Sequence, residues 1–272
     1  MKITFMGTGA AEGWPAAFCK CEYCTKAWEL GGRNIRKRSC TMVDDKILVD
    51  IGPDLLSHVH KHKLDLSLLD GILITHSHED HLYPLNIGVA NPPFATFDKK
   101  IKIYANKKSM AKIAPEVKPG GNFELIEVKP FEKFTIGDYT IHPMLATHAD
   151  DDENAIFYVI EKDGKTFLNG NDTGVFPPET WEYLRKLKLD YVSLDTTMGG
   201  FDMREVTWTS HMNVEQVGNV KEELMEMGIA SERTRFVMNH FSHNGGLLHH
   251  ELEHEGEKIG VAVAYDGLIT EV

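Results

Sequence analysis

No stretch of the chain approaches the roughly 18 to 20 consecutive apolar residues that a membrane-spanning helix needs, which excludes a helical anchor. A secretion signal is not expected either. The amino terminus opens on a strand pattern, Lys2 to Met6, and turns at Gly7-Thr8-Gly9 without a long apolar segment. Cysteine is scarce, with 4 in 272 residues, and three of them crowd into positions 19 to 24. That count excludes a disulfide scaffold, and a cytoplasmic location is expected. Positive charge is also short: 29 Lys and Arg stand against 41 Asp and Glu, a formal net charge of −12 with histidine neutral. Such a field repels polyanions on average, so nucleic acid is disfavoured as a partner. The cationic stretch Arg33 to Arg38 reads as a solvated loop or a contact for an anionic ligand.

Internal repeats, low-complexity tracts and polar linkers are absent too, so residues 1–272 are expected to form one domain. What is present is a succession of short apolar, β-rich runs bounded by Gly, Pro, Asp or Asn: 41–51, 71–75, 101–104, 123–128, 139–145, 155–160, 166–168, 191–194, 236–238 and 259–265. Helices fall between some of them. The clearest follows Asn213, a capping residue with Gln216 placed to reach back. Val214, Val217, Val220, Leu224 and Met227 repeat at helical spacing, and Gly228 offers a stop. Residues 54–62 and 178–187 are weaker helical candidates. The mixture predicts an α/β or α+β fold, with strand direction left open.

The densest chemistry lies in Ile72-Leu-Ile-Thr-His76-Ser-His78-Glu-Asp80-His81, where an apolar strand runs into a turn rich in imidazole and carboxylate. Residues two apart in extended chain project to one side, so His76 and His78 can converge on one ion. A turn after His78 would swing Asp80 and His81 toward a second. Three later residues follow apolar strands in the same way: His148, Asp172 in its Asn169-Gly-Asn-Asp-Thr-Gly174 turn, and His240. Singly, His148 reads as a structural hydrogen-bonding residue and Asp172 as an organiser of its turn. Together they supply the missing ligands for two ions.

Thr75-His-Ser-His-Glu-Asp-His81 resembles the HxHxDH signature of the metallo-β-lactamase superfamily, and His148, Asp172 and His240 resemble its later ligand positions. The resemblance implies an α+β fold, a four-layer αββα sandwich with metals at one edge between two sheets. It implies one ion on His76, His78 and His148, a second on Asp80, His81 and His240, and Asp172 bridging both. Gly7-Thr-Gly9, Cys19-Lys-Cys21-Glu-Tyr-Cys24, Asp50-Ile-Gly-Pro-Asp54, Ser210-His-Met212 and His240-Phe-Ser-His243 are similar to the PhnP-type phosphodiesterase branch, associated with carbon–phosphorus lyase metabolism. That branch implies a homodimer.

Cys19, Cys21 and Cys24 form a C-x-C-x-x-C comb. Thiolates suit Zn²⁺, and closed structural sites use four sulfur or nitrogen ligands. Reduced metal-free cysteines and a redox pair are the other readings of the comb. The resemblance makes His243 the fourth ligand of a structural zinc, which would pin the 19–24 loop to the loop carrying His240. Cys40, at a strand start, reads as packed.

The catalytic ions are expected to be Mn²⁺ or Zn²⁺, with Fe and Ni open. The implied chemistry is hydrolysis of a small phosphodiester, such as a cyclic ribose phosphate, by metal-activated water. His211 is the expected general acid, with a core or capping role as its alternative. Asp80 is read as a ligand that can also hydrogen-bond the nucleophile. Asp50 either orders the metal loops or caps a buried turn. Acyl chemistry on lactones, thioesters or β-lactams, and a non-catalytic metal-binding module, are the competing classes.

Overall fold

The computed structural model describes residues 1–148, 153–205 and 210–272. Among the described residues fourteen strands run in chain order as β1 (Lys2–Gly7), β2 (Cys40–Val43), β3 (Ile47–Val49), β4 (Gly71–Leu73), β5 (Ile101–Ala105), β6 (Phe123–Glu127), β7 (Phe134–Ile136), β8 (Tyr139–Leu145), β9 (Ile156–Lys162), β10 (Lys165–Gly170), β11 (Tyr191–Asp195), β12 (Arg235–Asn239), β13 (Ala262–Val263) and β14 (Leu268–Glu271). The α-helices are α1 (Glu22–Leu30), α2 (Leu55–His62), α3 (Leu85–Gly88), α4 (Lys107–Ile113), α5 (Pro178–Leu184), α6 (Val214–Glu226) and α7 (His249–Ile259).

The strands form two seven-stranded sheets, ordered β14-β1-β2-β3-β4-β5-β6 and β13-β12-β11-β10-β9-β8-β7. Each sheet begins as an antiparallel meander and continues with parallel strands, β3 to β6 in the first and β10 to β13 in the second. Apart from β14, which returns from the end of the chain to pair with β1, the two halves of the chain therefore repeat one topology. Strand alternation sorts the side chains into layers. Ile3, Phe5, Ile47, Val49, Tyr158, Phe167 and Tyr191 fill the space between the sheets. On the outer face of the first sheet, Met42, Leu48, Ile72 and Ile103 pack with Ile87 of α3 and Ile113 of α4. Leu168, Val192 and Leu194 face outward from the second sheet onto Leu184 of α5, Val217 and Val220 of α6 and Leu252 of α7. The result is an α+β fold in four layers, αββα.

α6 carries a capping box between Asn213 and Gln216, buries Val214, Val217, Val220 and Leu224, and is followed by Gly228 at φ 66°. Residues 41–51 split into the β2–β3 hairpin, because Asp44 and Asp45 turn the chain with φ of 51° and 56°. The apolar run 259–265 is not one strand. Ile259 ends α7, Gly260 caps it in the left-handed conformation, and only Ala262–Val263 pair in β13. α7 itself escapes the sequence pattern because its buried face is His249, Leu252 and Gly256, a stripe with little apolar signal. Among the described residues no helix is long and apolar enough to cross a membrane.

Phe5 and Phe167 meet edge to face across the sheets, their ring centroids 6.3 Å apart and both side chains fully buried. Phe167→Ala should lower unfolding free energy by about 3–5 kcal/mol through lost burial and a residual cavity. Denaturant titration with an unchanged midpoint would count against this pair as the centre of the inter-sheet core.

Candidate metal centres

Parallel strands deliver their carboxyl ends to one edge of the sandwich, where loops gain rigid supports. His76 and His78 leave β4, His148 follows β8, Asp172 follows β10, Asp195 ends β11, and His240 follows β12. Asp50, Asp172 and His240 each hold a left-handed backbone, with φ of 67°, 56° and 60°. Asp and His tolerate that region better than most residues, but it still marks a local constraint. Beside Asp50, Gly52 has no Cβ to spare: one would collide with the Asp80 carbonyl oxygen. The Asp50 segment is thereby drawn against the His81 turn, where the Ile51 amide donates to the His81 carbonyl at 2.8 Å.

Donor atoms of His76, His78, His148 and Asp172 lie within 4.8 Å of one another, as do those of Asp80, His81, Asp172 and His240. Asp172 belongs to both groups. Its Oδ2 is 3.2 Å from His76 Nε2 and 2.9 Å from His81 Nε2, while Oδ1 is 3.3 Å from His148 Nδ1. The rings are oriented from behind. His81 Nδ1 donates to Asp50 Oδ2 at 2.7 Å, and His148 Nδ1 donates to the Ser210 carbonyl at 3.2 Å. His240 Nδ1 lies 2.8 Å from Thr197 Oγ1, which bonds Asp195 Oδ2 at 2.9 Å. A proton on each outer nitrogen leaves the inner nitrogen as a lone pair facing the centre.

The centre is thus crowded with acceptors. Nε2 of His76, His81 and His240 and Oδ1 of Asp172 lie buried 2.9 to 3.7 Å from opposing atoms of this group, yet make no well-aligned hydrogen bond among the described residues. His148 Nε2 faces His78 Nδ1 at 3.2 Å. Buried polar atoms ordinarily find partners, and a set of imidazole and carboxylate atoms converging this closely is able to hold divalent cations. Burial disfavours a charged His81, yet Asp80 and Asp50 push its pKa well above the ordinary histidine value. Burial would raise Asp80, but His81 holds its carboxyl below the usual carboxylate range.

His211 stands at the mouth, with Nδ1 3.1 Å from Asp195 Oδ2 and 3.3 Å from Asp172 Oδ1. Its partial burial opposes protonation, but Asp195 and then Asp172 raise its pKa to about 9 in the ion-free protein. Asp195 also accepts the amides of Thr197 and Met212, each at 3.0 Å. Sequence reasoning missed it. The available signal was its place directly after the apolar run 191–194, the same pattern that singled out Asp172 and His240. The centre opens into a cleft of about 550 Å³, walled by Ala10, Glu12, Met198, Phe201 and Asn244.

A separate group joins Cys19, Cys21, Cys24 and His243, whose donor atoms also lie within 4.8 Å of one another. His243 Nδ1 is 3.4 Å from Cys21 Sγ and 3.9 Å from Cys19 Sγ. The Cys21 amide donates to Cys19 Sγ and the Cys24 amide to Cys21 Sγ, both at 3.4 Å. All four cysteines are free of disulfides. Burial pushes the Cys24 thiol up to about 12, whereas the Cys21 amide lowers Cys19. Cys40 is buried beneath the first sheet's outer face, apart from this group.

The profile of a family described as a beta-lactamase superfamily domain matches residues 45–241. Ribonuclease Z of Listeria monocytogenes serovar 1/2a is 23% identical over 272 residues, spanning 97% of this chain and 80% of that protein. A solved diphosphatase from the PhnP family superposes with a TM-score of 0.74 at 22% identity, covering 100% of this chain and 97% of that one. Zinc-bound PqqB from Methylobacterium extorquens superposes at 0.79 with 17% identity, covering 100% of both chains. The structural likenesses speak for the fold, and the family profile spans most of the sequence. The chain belongs to the beta-lactamase superfamily.

Proposed function

We propose that the chain is a metal-dependent phosphodiesterase of the PhnP type, acting on small phosphodiesters such as cyclic ribose phosphates, with residues 1–272 as one catalytic domain. The observation that carries this reading is Asp172 set between two groups of converging imidazole and carboxylate atoms, with His211 beside it in the same cleft. His76, His78 and His148 would hold one ion and Asp80, His81 and His240 the other, with Asp172 shared; Cys19, Cys21, Cys24 and His243 would hold a structural zinc. When bound, a pair of Mn²⁺ or Zn²⁺ ions supplies an activated water and polarises a phosphoryl oxygen.

The chain's own residues account for the remaining requirements. Two divalent cations against the carboxylates of Asp80 and Asp172 leave a positive centre, which suits an anionic phosphodiester despite the acidic surface. His211, held by Asp195, is the proton donor for the departing alkoxide. Asp80 serves as a ligand, since coordination leaves a carboxylate little freedom to act as a base. Met198 and Phe201 offer an apolar wall to the leaving group or base. The cleft volume suits a nucleotide-sized ligand. The names of two similar proteins, ribonuclease Z and diphosphatase, denote cleavage at phosphorus and support the same reacting atom.

Bis(4-nitrophenyl) phosphate should be hydrolysed by metal-loaded protein, and Asp172→Ala should reduce turnover by more than about 100-fold, the upper range for losing even an outer partner of a metal ligand. Turnover of lactones or thioesters with none of the phosphodiester would reject the assignment.

His211→Ala should slow substrates with alkoxide leaving groups by about 10²–10⁴-fold and those with nitrophenolate far less, because nitrophenolate departs without a proton. Equal losses on both would remove His211 as the acid.

In ion-free protein, Asp195→Asn should move the His211 titration, followed by NMR, from about 9 toward the ordinary histidine value. Because the folded-state pKa is raised, this pair's stabilisation is complete below the unfolded pKa and fades as pH climbs through the folded one. The variant should lose that alkaline slope. A midpoint left in place would show that Asp195 is not its cause.

A further inference from the structure

We propose that Glu153 is a positioning residue for the His76, His78 and His148 group: its buried carboxylate fixes Ser77, and through Ser77 the separation of His76 and His78. The proposal rests on the metal-binding reading above and extends it to a residue that touches none of the ligand atoms.

Ser77 separates the two histidines. His76 Nε2 faces Asp172 at 3.2 Å and His78 Nδ1 faces His148 at 3.2 Å. Ser77 between them turns toward Glu153. Its amide donates to Glu153 Oε1 at 2.9 Å and its hydroxyl to Oε2 at 2.7 Å. The Ser77 carbonyl accepts Lys112 Nζ at 2.6 Å, so every polar group of this residue is held. The carboxylate is held in return. Asn106 Nδ2 donates to Oε1 at 3.1 Å, and Lys108 Nζ lies 3.2 Å from Oε2. The Glu153 side chain is 0% exposed.

Burying a carboxylate is expensive unless donors surround it, so its placement calls for a reason. Capping α4 is not that reason. Asn106 Oδ1 already caps the helix by accepting the Ser109 amide at 2.8 Å, and Asn106 Nδ2 also binds the Glu153 carbonyl at 3.1 Å. What the carboxylate uniquely does is join two ligand-bearing segments. Glu153 stands five positions after His148 and three before Ile156, whose amide donates to the Thr75 carbonyl at 3.0 Å. Thr75 and Ser77 flank His76, and both are tied to residues 153–156, where the Ala155 carbonyl accepts the Ala146 amide at 2.9 Å, two positions before His148. One bidentate contact therefore sets the bite of His76 and His78 and their register against His148.

Zn²⁺ titration of demetallated full-length chain against a chromophoric chelator, with ion counts per chain, tests this without reading activity. Glu153→Ala should weaken binding at the paired-ion centre by about 10- to 100-fold while the cysteine-held ion is retained. Glu153→Asp, which keeps the charge but withdraws the carboxylate by one methylene, should weaken the same ions by a smaller factor. A merely structural role would lower the unfolding temperature and leave ion affinity alone. Wild-type affinity in both variants would overturn the assignment by itself. A wild-type chain that binds only the cysteine-held ion would remove both this assignment and the reading on which it rests.

Discussion

The site is organised around mutual repulsion among buried acceptors. Asp172 is almost wholly buried, and inner nitrogens of His76, His81 and His240 converge on it. Such an arrangement persists only if cations or protons neutralise it. The surrounding framework can be read as the means of holding acceptors together against that repulsion. Asp50, Thr197 and the Ser210 carbonyl each take the outer nitrogen of a ring, which both orients the imidazole and fixes which nitrogen faces inward.

The sandwich supplies the stiffness. Two sheets of matching topology bury a shared apolar layer, and their parallel strands release their loops at one edge. Left-handed conformations at Asp50, Asp172 and His240 turn those loops sharply at the end of a strand. Conformations of this kind cost of order 1–3 kcal/mol each and survive where surrounding structure over-determines them. Here that support comes from the β3, β10 and β12 strands behind them.

The cysteine group connects the amino-terminal loop to the loop that carries His240. His243 lies three positions beyond His240, and the Ala10 amide binds the Phe241 carbonyl at 2.9 Å while the Phe241 amide binds the Thr8 carbonyl at 2.9 Å. The amino-terminal loop and the His240 loop are thus paired through backbone as well as through the thiol–imidazole group. Arg36, buried beneath them, lies 4.1 Å from the Phe241 ring centroid and donates to Thr8 Oγ1 at 2.7 Å.

Much of this was legible in residue order. The histidine-rich turn after an apolar strand, the recurrence of a lone His or Asp after later strands, and the C-x-C-x-x-C comb are local patterns, because donor type and spacing are properties of consecutive residues. The α6 cap and stripe were legible for the same reason. Asp195, Glu153 and the short β13 were not. A single carboxylate at a strand end looks like any turn residue until His211 and His240 are brought to it from 16 and 45 positions away. Glu153 acquires meaning only beside Ser77, 76 positions earlier. Residue order determined which ligand atoms this chain owns; tertiary structure alone decided which of them meet, because convergence depends on how two separate sheets bring distant strand ends to a common edge.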